Sequence, residues 1–393
     1  MKGALFLGWR YLVYHRFKTA VLLASVTLMM FLPAATRLLV ADSAAALTNR
    51  AERTPLLVGT RGSELELVLN ALYFHAGRPP EVPYRVYTEV RNTGLADAIP
   101  IYTRFQARGS PIVGTSLDYF PFRDLQLADG RMMGLLGECV IGANVASSQG
   151  LGVGGSLVSS PETVFDLAGV YPLKMGVVGV LERSGTPDDD AVFVDVRTAW
   201  VIQGLGHGHQ DLENADANSA VLSREAGTIT ANASLVQYNE ITPENVREFH
   251  FHGDTGEFPL SAVIAVPPDD KSGTLLRGRY DADGVEQQLV VPRVVLGNLL
   301  ETVFTVQNYV ILGLVMLSLA TVAVITLVFL LSQQLRRGEF LTLKRMGASR
   351  GFIATLVTSE IGFVILGSLA LVALMTWAVR HYATEFLLSL MMF

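Results

Sequence analysis

The sequence holds a single cysteine, Cys139, in 393 residues. One thiol excludes a framework of internal disulfides and fits either side of a cell membrane. Basic charge is not in excess: 30 Lys and Arg stand against 36 Asp and Glu, a net charge of −6. The basic residues form no stripe but collect beside apolar runs, which argues against nucleic acid as a partner. No Gly-x-x-x-x-Gly-Lys-Ser/Thr pattern occurs in the chain, which excludes a P-loop ATPase site of that kind on it. Residues Gly152–Ser156 are the nearest thing to a nucleophile elbow, and they lack its Gly-x-Ser-x-Gly arrangement. Asp188, Asp189 and Asp190 stand beside Gly185 and Pro187 and read as a charged turn, because three adjacent carboxylates point different ways. No catalytic residue is assigned, and the chain is read as a non-enzyme.

What the sequence has in quantity is apolar surface, unevenly spread. Half of the residues are hydrophobic, the upper edge of the globular range. They crowd into 19–41 and 309–379, while the stretch between has ordinary soluble composition. A spanning helix needs about 20 apolar residues to cross about 30 Å of hydrocarbon. Three segments qualify: 19–41, 309–332 and 352–379. The first follows Lys18, contains Pro33 and has Arg37 near its end; the second has no charge; the third is uncharged after Glu360. Lys2, Arg10, Arg16 and Lys18 precede the first, and Arg336, Arg337, Lys344, Arg345 and Arg350 lie between the second and third. Both basic clusters belong on the cytoplasmic side, which puts residues from about 42 to 305 outside.

Residues 1–18 read as an interfacial helix with Phe6, Trp9, Leu12 and Val13 on its apolar face. A cleaved signal peptide is the alternative, given the basic lead and the small residues Ala44, Ala45 and Ala46. Residues 42–54 and 291–308 read as helices continuing from their spans into a two-helix stalk, with two independent linkers as the alternative. Residues 380–393 form a short apolar tail in which Phe386–Phe393 is too short to cross. The outer segment, 55–290, alternates β-rich runs (Tyr84–Val90, Pro100–Phe105, Glu138–Gly142, Met175–Leu181, Ala191–Val196) with helical patterns at Ser63–Phe74 and Thr198–Gln203. The expected fold class is therefore an α-helical transmembrane bundle of three spans, with the stub of a fourth, carrying a large inserted α+β extracytoplasmic domain.

Two features carry chemistry. His207 with His209, and His250 with His252, form two His-x-His pairs. In a strand each pair puts both rings on one face, and two such pairs could hold Zn²⁺ tetrahedrally. A solvated loop is the plainer reading, since His207 and His209 lie in a Gly-rich stretch. The second feature is the loop 333–351, where Phe340, Leu343, Arg345 and Met346 fall at helical spacing. Gly347 is placed to end that helix and Ser349 to cap the next. A short basic amphipathic helix at the membrane face fits lipid headgroups or a groove on a partner, and composition alone favours lipid.

Arg336, Arg337, Glu339, Leu343, Gly347, Ala348 and Ser349, followed by Glu360, resemble in order the loop of FtsX/MacB-like permeases of ABC transporters. The likeness continues outside through Val113–Phe120, Gly130–Arg131, Val140–Ala143, Leu151–Leu157, Met175–Leu181, Ala191–Val196 and Pro292. The resemblance implies a periplasmic core domain and a coupling helix, Glu339–Met346. It makes Arg336, Arg337, Glu339, Phe340, Leu343, Lys344, Met346 and Gly347 the residues that meet an ATPase, and reverses the preference for lipid. It also implies a dimer of ABC ATPase subunits, a second permease copy or homologous subunit, and a periplasmic adaptor or substrate protein as partners. The implied location is the bacterial inner membrane, with a cytoplasmic N-terminus. Such permeases usually have four spans, where this sequence shows three and a stub. No charge lies mid-span, which favours a mechanical role over an ion path. The rival reading is a membrane-anchored sensor or scaffold, zinc-linked if the histidines bind metal.

Overall fold

The computed structural model describes residues 2–160, 172–208, 221–225, 228–231, 239–282 and 284–391. They divide into two compact units, Met1–Ala46 with Asn298–Phe393, and Leu47–Gly297.

The first unit is helical. By length and composition, Arg16–Ala41, Pro292–Leu335 and Arg350–His381 can each cross a membrane. They belong to the helices Arg16–Glu52, Pro292–Leu335 and Arg350–Met391. The tail expected from residue 380 is thus helical as far as Met391. The helix Pro292–Leu335 has 44 residues, about 66 Å at 1.5 Å per residue and roughly twice the hydrocarbon thickness. Its apolar side chains are mostly exposed, Met316, Leu319 and Leu327 among them, as lipid or a further subunit would require. Leu12, Leu22 and Val364 make a small core with Leu23, Val26, Ile325 and Phe363 around it. The N-terminal helix Lys2–Tyr14 lies against Arg350–Met391. The face it buries is Ala4, Gly8 and Leu12, while Phe6, Trp9 and Val13 stay largely exposed. Small residues four apart let two helix backbones approach closely, so the contact face is not simply the apolar face read from the sequence.

The second unit is an α+β domain around a ten-stranded mixed sheet. From edge to edge it runs Gln287–Val290, Leu56–Thr60, Ala262–Val266, Asp97–Ala107, Ser110–Thr115, Val192–Asp195, Glu138–Ile141, Lys174–Leu181 and Leu127–Gly130, with Ser156–Val158 also paired to Lys174–Leu181. Ser110–Thr115 pairs in parallel with Val192–Asp195, as does Glu138–Ile141 with Lys174–Leu181, and the remaining pairs are antiparallel. Strands buried on both sides need near-continuous apolar runs, and Ala262–Val266 (AVIAV) and Val192–Asp195 (VFVD) supply them. The Trp200 ring, on the helix Val196–Gln203, meets the edges of Tyr84 and Phe258 at 5.1 Å, and its Nε1 donates to Pro259 O at 2.8 Å. Cys139 is fully buried, and burial, with Glu138 beside it, pushes its thiol up to about 12.

The structure corrects two expectations for this unit. Tyr84–Val90, expected as a strand, lies in the helix Arg85–Asn92. Its β-branched and aromatic residues suggested alternation, but Val86, Tyr87 and Val90 share one buried helical face while Thr88 and Glu89 are exposed. The acidic run does turn, as a short 3₁₀ helix Pro187–Asp190, yet Asp188 and Asp189 are buried rather than solvated. Asp189 accepts from Ser184 N and Gly185 N at 2.8 Å. Asp188 accepts from Arg50 Nη2 at 3.0 Å, Tyr119 Oη at 2.7 Å and Thr186 Oγ1 at 2.8 Å. Arg50 Nη2 also donates to Tyr119 Oη at 2.7 Å, and Arg50 Nε donates to Leu72 O. Burial alone would raise the Asp188 carboxyl, but the Arg50 charge and these hydrogen bonds hold it below the ordinary carboxylate value. Arg123, also buried, stacks on Phe122 at 4.7 Å and Tyr119 at 5.7 Å.

Candidate ATPase-coupling site and histidine cluster

Between the second and third membrane-length helices lies the short helix Arg337–Arg345. Glu339 in its first turn and Lys344 and Arg345 in its last complement the helix dipole. It ends in a Schellman motif. Ala348 N donates to Leu343 O at 3.0 Å and Gly347 N to Lys344 O at 3.1 Å. Gly347 has φ +95°, a left-handed conformation that a side chain would oppose. Ser349 Oγ then accepts from Phe352 N at 3.1 Å and caps the helix that begins at Arg350.

The orientation of this helix is held by Arg336. Its Nη1 donates to both carboxylate oxygens of Glu360, at 2.8 and 2.9 Å, and its Nε to Glu339 at 3.1 Å. Its guanidinium lies 3.6 Å from the centre of the Tyr11 ring and 5.1 Å from that of Phe340. Arg336 and Glu360 are only 8% and 3% exposed. One side chain therefore ties the end of Pro292–Leu335 to the short helix, to Arg350–Met391 and to Lys2–Tyr14.

Arg336 is thus turned inward and positions the helix instead of presenting itself to a partner. Phe340 and Leu343 are half-buried, and Gly347 sits at the turn. Arg337, Lys344 and Met346 are exposed, as is Glu339 apart from its bond to Arg336. Leu341, which the sequence reading passed over, is 57% exposed. Arg337, Leu341, Lys344 and Arg345 recur at helical spacing and form one outward face, a basic strip with an apolar knob. The signal was the i, i+4, i+7 spacing, hidden because the larger apolar residues on the other face drew attention first.

The histidines lie in the other unit. Gly206–Gly208 pairs antiparallel with Phe249–Phe251, and His207 stands opposite His250. His207, His250 and His252 have ring nitrogens within 4.8 Å of one another. His209 lies outside the described residues, so the structure brings together three of the four.

Three helices long and apolar enough to cross a membrane, towards the two ends of the chain, and an α+β unit inserted in sequence between them are the pattern of a membrane protein that carries a large inserted domain. The family model described as the MacB-like periplasmic core domain matches residues 20–237, more than half of the chain. The chain belongs to this family, that of the MacB-like periplasmic domain of ABC-type transporter permeases. Among solved structures it is similar to the extracellular domain of the ABC-type transporter YknZ from Gram-positive bacteria, at 10% identity and TM-score 0.31, covering 60% of this chain and 98% of that one. It is also similar to the periplasmic region of MacB from Actinobacillus actinomycetemcomitans, at 8% identity and TM-score 0.35, covering 66% and 97%. No curated protein matches the chain.

Proposed function

We propose that this chain is the permease subunit that couples ATP hydrolysis, in a separate ABC ATPase dimer holding ATP and Mg, to mechanical work across a bacterial inner membrane. The observation that carries the reading is the outward face of Arg337–Arg345, fixed from behind by the Arg336–Glu360 pair. A basic strip with one apolar knob, held rigid at its base, suits a groove on a protein better than a fluid headgroup layer, which needs no fixed orientation. In this reading the N-terminus and the short helix are cytoplasmic, as the basic clusters require. Residues from about 42 to 305 are periplasmic. Two copies, or one copy with a homologous subunit, face each other. The helices Arg16–Glu52 and Pro292–Leu335 run unbroken from span to outer domain, so movement at the ATPase passes along them. The work done is mechanotransmission to a periplasmic adaptor or substrate protein, or the export or extraction of a lipid or lipoprotein.

The test is co-purification of an ABC ATPase with the full chain, before and after Leu341→Glu and Met346→Glu. Both side chains are exposed, so the changes leave the packing intact. The wild type retains the ATPase, and each variant weakens the association by about tenfold or more, roughly 1.4 kcal/mol for a charge forced against an apolar contact. A chain that retains no ABC ATPase, or variants that retain it undiminished, would overturn the assignment in favour of an anchored scaffold.

A further inference from the structure

The ribbon Gly206–Gly208 with Phe249–Phe251 has two unlike faces. On one, a Cβ added to Gly206 would lie 2.6 Å from the Phe251 ring, and one added to Gly208 would lie 2.5 Å from the Phe249 ring. The glycines leave room for those rings, and Phe251 continues inward to Phe258 and Trp200 at 6.0 and 6.4 Å. On the other face His207 stands opposite His250. His252 N donates to Leu205 O at 3.2 Å, so the pairing continues and His252 falls two residues along on the same side as His250. Ring centres are 4.9 Å apart for His207 and His250, and 4.8 Å apart for each with His252.

A solvated face needs only hydrophilic side chains, and Lys, Glu, Thr or Ser would serve. Here all three positions are imidazole, in a chain with seven histidines among 393 residues. His250 Nδ1 lies 3.1 Å from Glu248 O, and a carbonyl there fixes the tautomer that ligates through Nε2. His207 and His250 are half-buried and His252 exposed, so an ion can reach them from solution.

We propose that His207, His250 and His252 bind one divalent transition-metal ion of the zinc class. Imidazole nitrogens suit Zn²⁺, Cu²⁺ and Ni²⁺, whereas Ca²⁺ and Mg²⁺ demand oxygen. Tetrahedral Zn–N bonds of about 2.0–2.1 Å place ligand atoms about 3.4 Å apart, within reach of side-chain rotations from the separations seen here. Three nitrogens leave a fourth tetrahedral position for water or another exchangeable ligand. Occupancy clips Gly206–Gly208, the strand that follows the helix Val196–Gln203, to Phe249–Phe251, so the ion fastens two segments far apart in the chain. The site stands independently of the coupling assignment.

The experiment uses the full chain in detergent, purified without a polyhistidine tag and stripped of metal. It is then dialysed against micromolar Zn²⁺, and bound metal is counted by mass spectrometry. The wild type holds one zinc per chain, and millimolar Ca²⁺ or Mg²⁺ does not displace it. The double variant His250→Gln, His252→Gln, with His209 left in place, binds at least about tenfold more weakly. The metal-free forms of both melt alike, and zinc raises Tm only in the wild type. Co²⁺ in place of Zn²⁺ gives the visible absorption of a nitrogen-bound tetrahedral ion, lost in the double variant. Zinc that does not stay on the wild type, or stays equally on the double variant, overturns the proposal.

Discussion

Replacing Asp188 with alanine destabilises the α+β domain by about 3–5 kcal/mol, the cost of leaving a buried ion without its partner. Asp188 is the acceptor for Arg50, Tyr119 and Thr186 at once, so its loss takes an acceptor from each of the three. It also leaves the buried Arg50 and Arg123 without the carboxylate that faces them. Domains are typically stable by only about 5–15 kcal/mol, so a change of this size removes a large share. Denaturant unfolding of the full chain in detergent, followed through Trp200 in a Trp9→Phe, Trp377→Phe background, measures it. Asp188→Asn keeps the shape and loses most of the stability too, because the missing quantity is charge. The double change Arg50→Met, Asp188→Leu recovers a good part, since an apolar pair leaves no ion stranded. A single variant as stable as the wild type would refute this account. The pH dependence has a defined sign. The folded carboxyl is held below its unfolded value, about 3.9. The contribution of Asp188 is therefore fully present above that value and is lost as pH falls through the lower folded value.

The second large effect is expected at Glu360. Glu360→Gln leaves the Arg336 guanidinium buried among Tyr11, Phe340 and the ends of two long helices, with only the exposed Glu339 carboxylate beside it. The expected penalty is again about 3–5 kcal/mol, but here it falls on one joint. The helix Arg337–Arg345 detaches from its base, and trypsin cuts faster after Arg337, Lys344 and Arg345 of the full chain in detergent. The paired change Arg336→Met, Glu360→Met restores slow cleavage. Unchanged cleavage in Glu360→Gln would mean that the pair does not hold the helix. Under the coupling role proposed above, the same variant separates positioning from contact: it lowers ATPase association while every exposed residue of the outward face remains in place.

The helices able to span a membrane were legible because a run of twenty apolar residues is a local property. So were most strands of the ten-stranded sheet, whose β-branched runs lie between turn residues. The helix Arg85–Asn92 was misread because Val86, Tyr87 and Val90 satisfy two periods over so short a stretch, and only the packing decides. The burial of Asp188 was invisible for a different reason. Its partner Arg50 is 138 residues away and sits in what reads as an ordinary helix continuing from a span. Nothing local distinguishes an acidic run that solvates a turn from one that neutralises a distant arginine. Arg336 shows the same limit beside the short helix Arg337–Arg345: a basic pair reads as surface, yet one of the two turns inward to Glu360. The histidine pairs gave only half the information needed. Each His-x-His announces its own face, but the register that sets His207 opposite His250 belongs to the tertiary fold.

Cys139 has a use beyond what it excludes. Its thiol is fully buried, and burial keeps it protonated at any pH a membrane protein is handled at. The native chain is therefore already a silent background for thiol chemistry. A cysteine placed at Lys344, on the outward face, or at the exposed Ser63 would be the one position that a maleimide or a spin label modifies. Pairs of such labels turn the question of how the α+β unit and the helical unit move into a distance that can be read from the protein with no other residue removed.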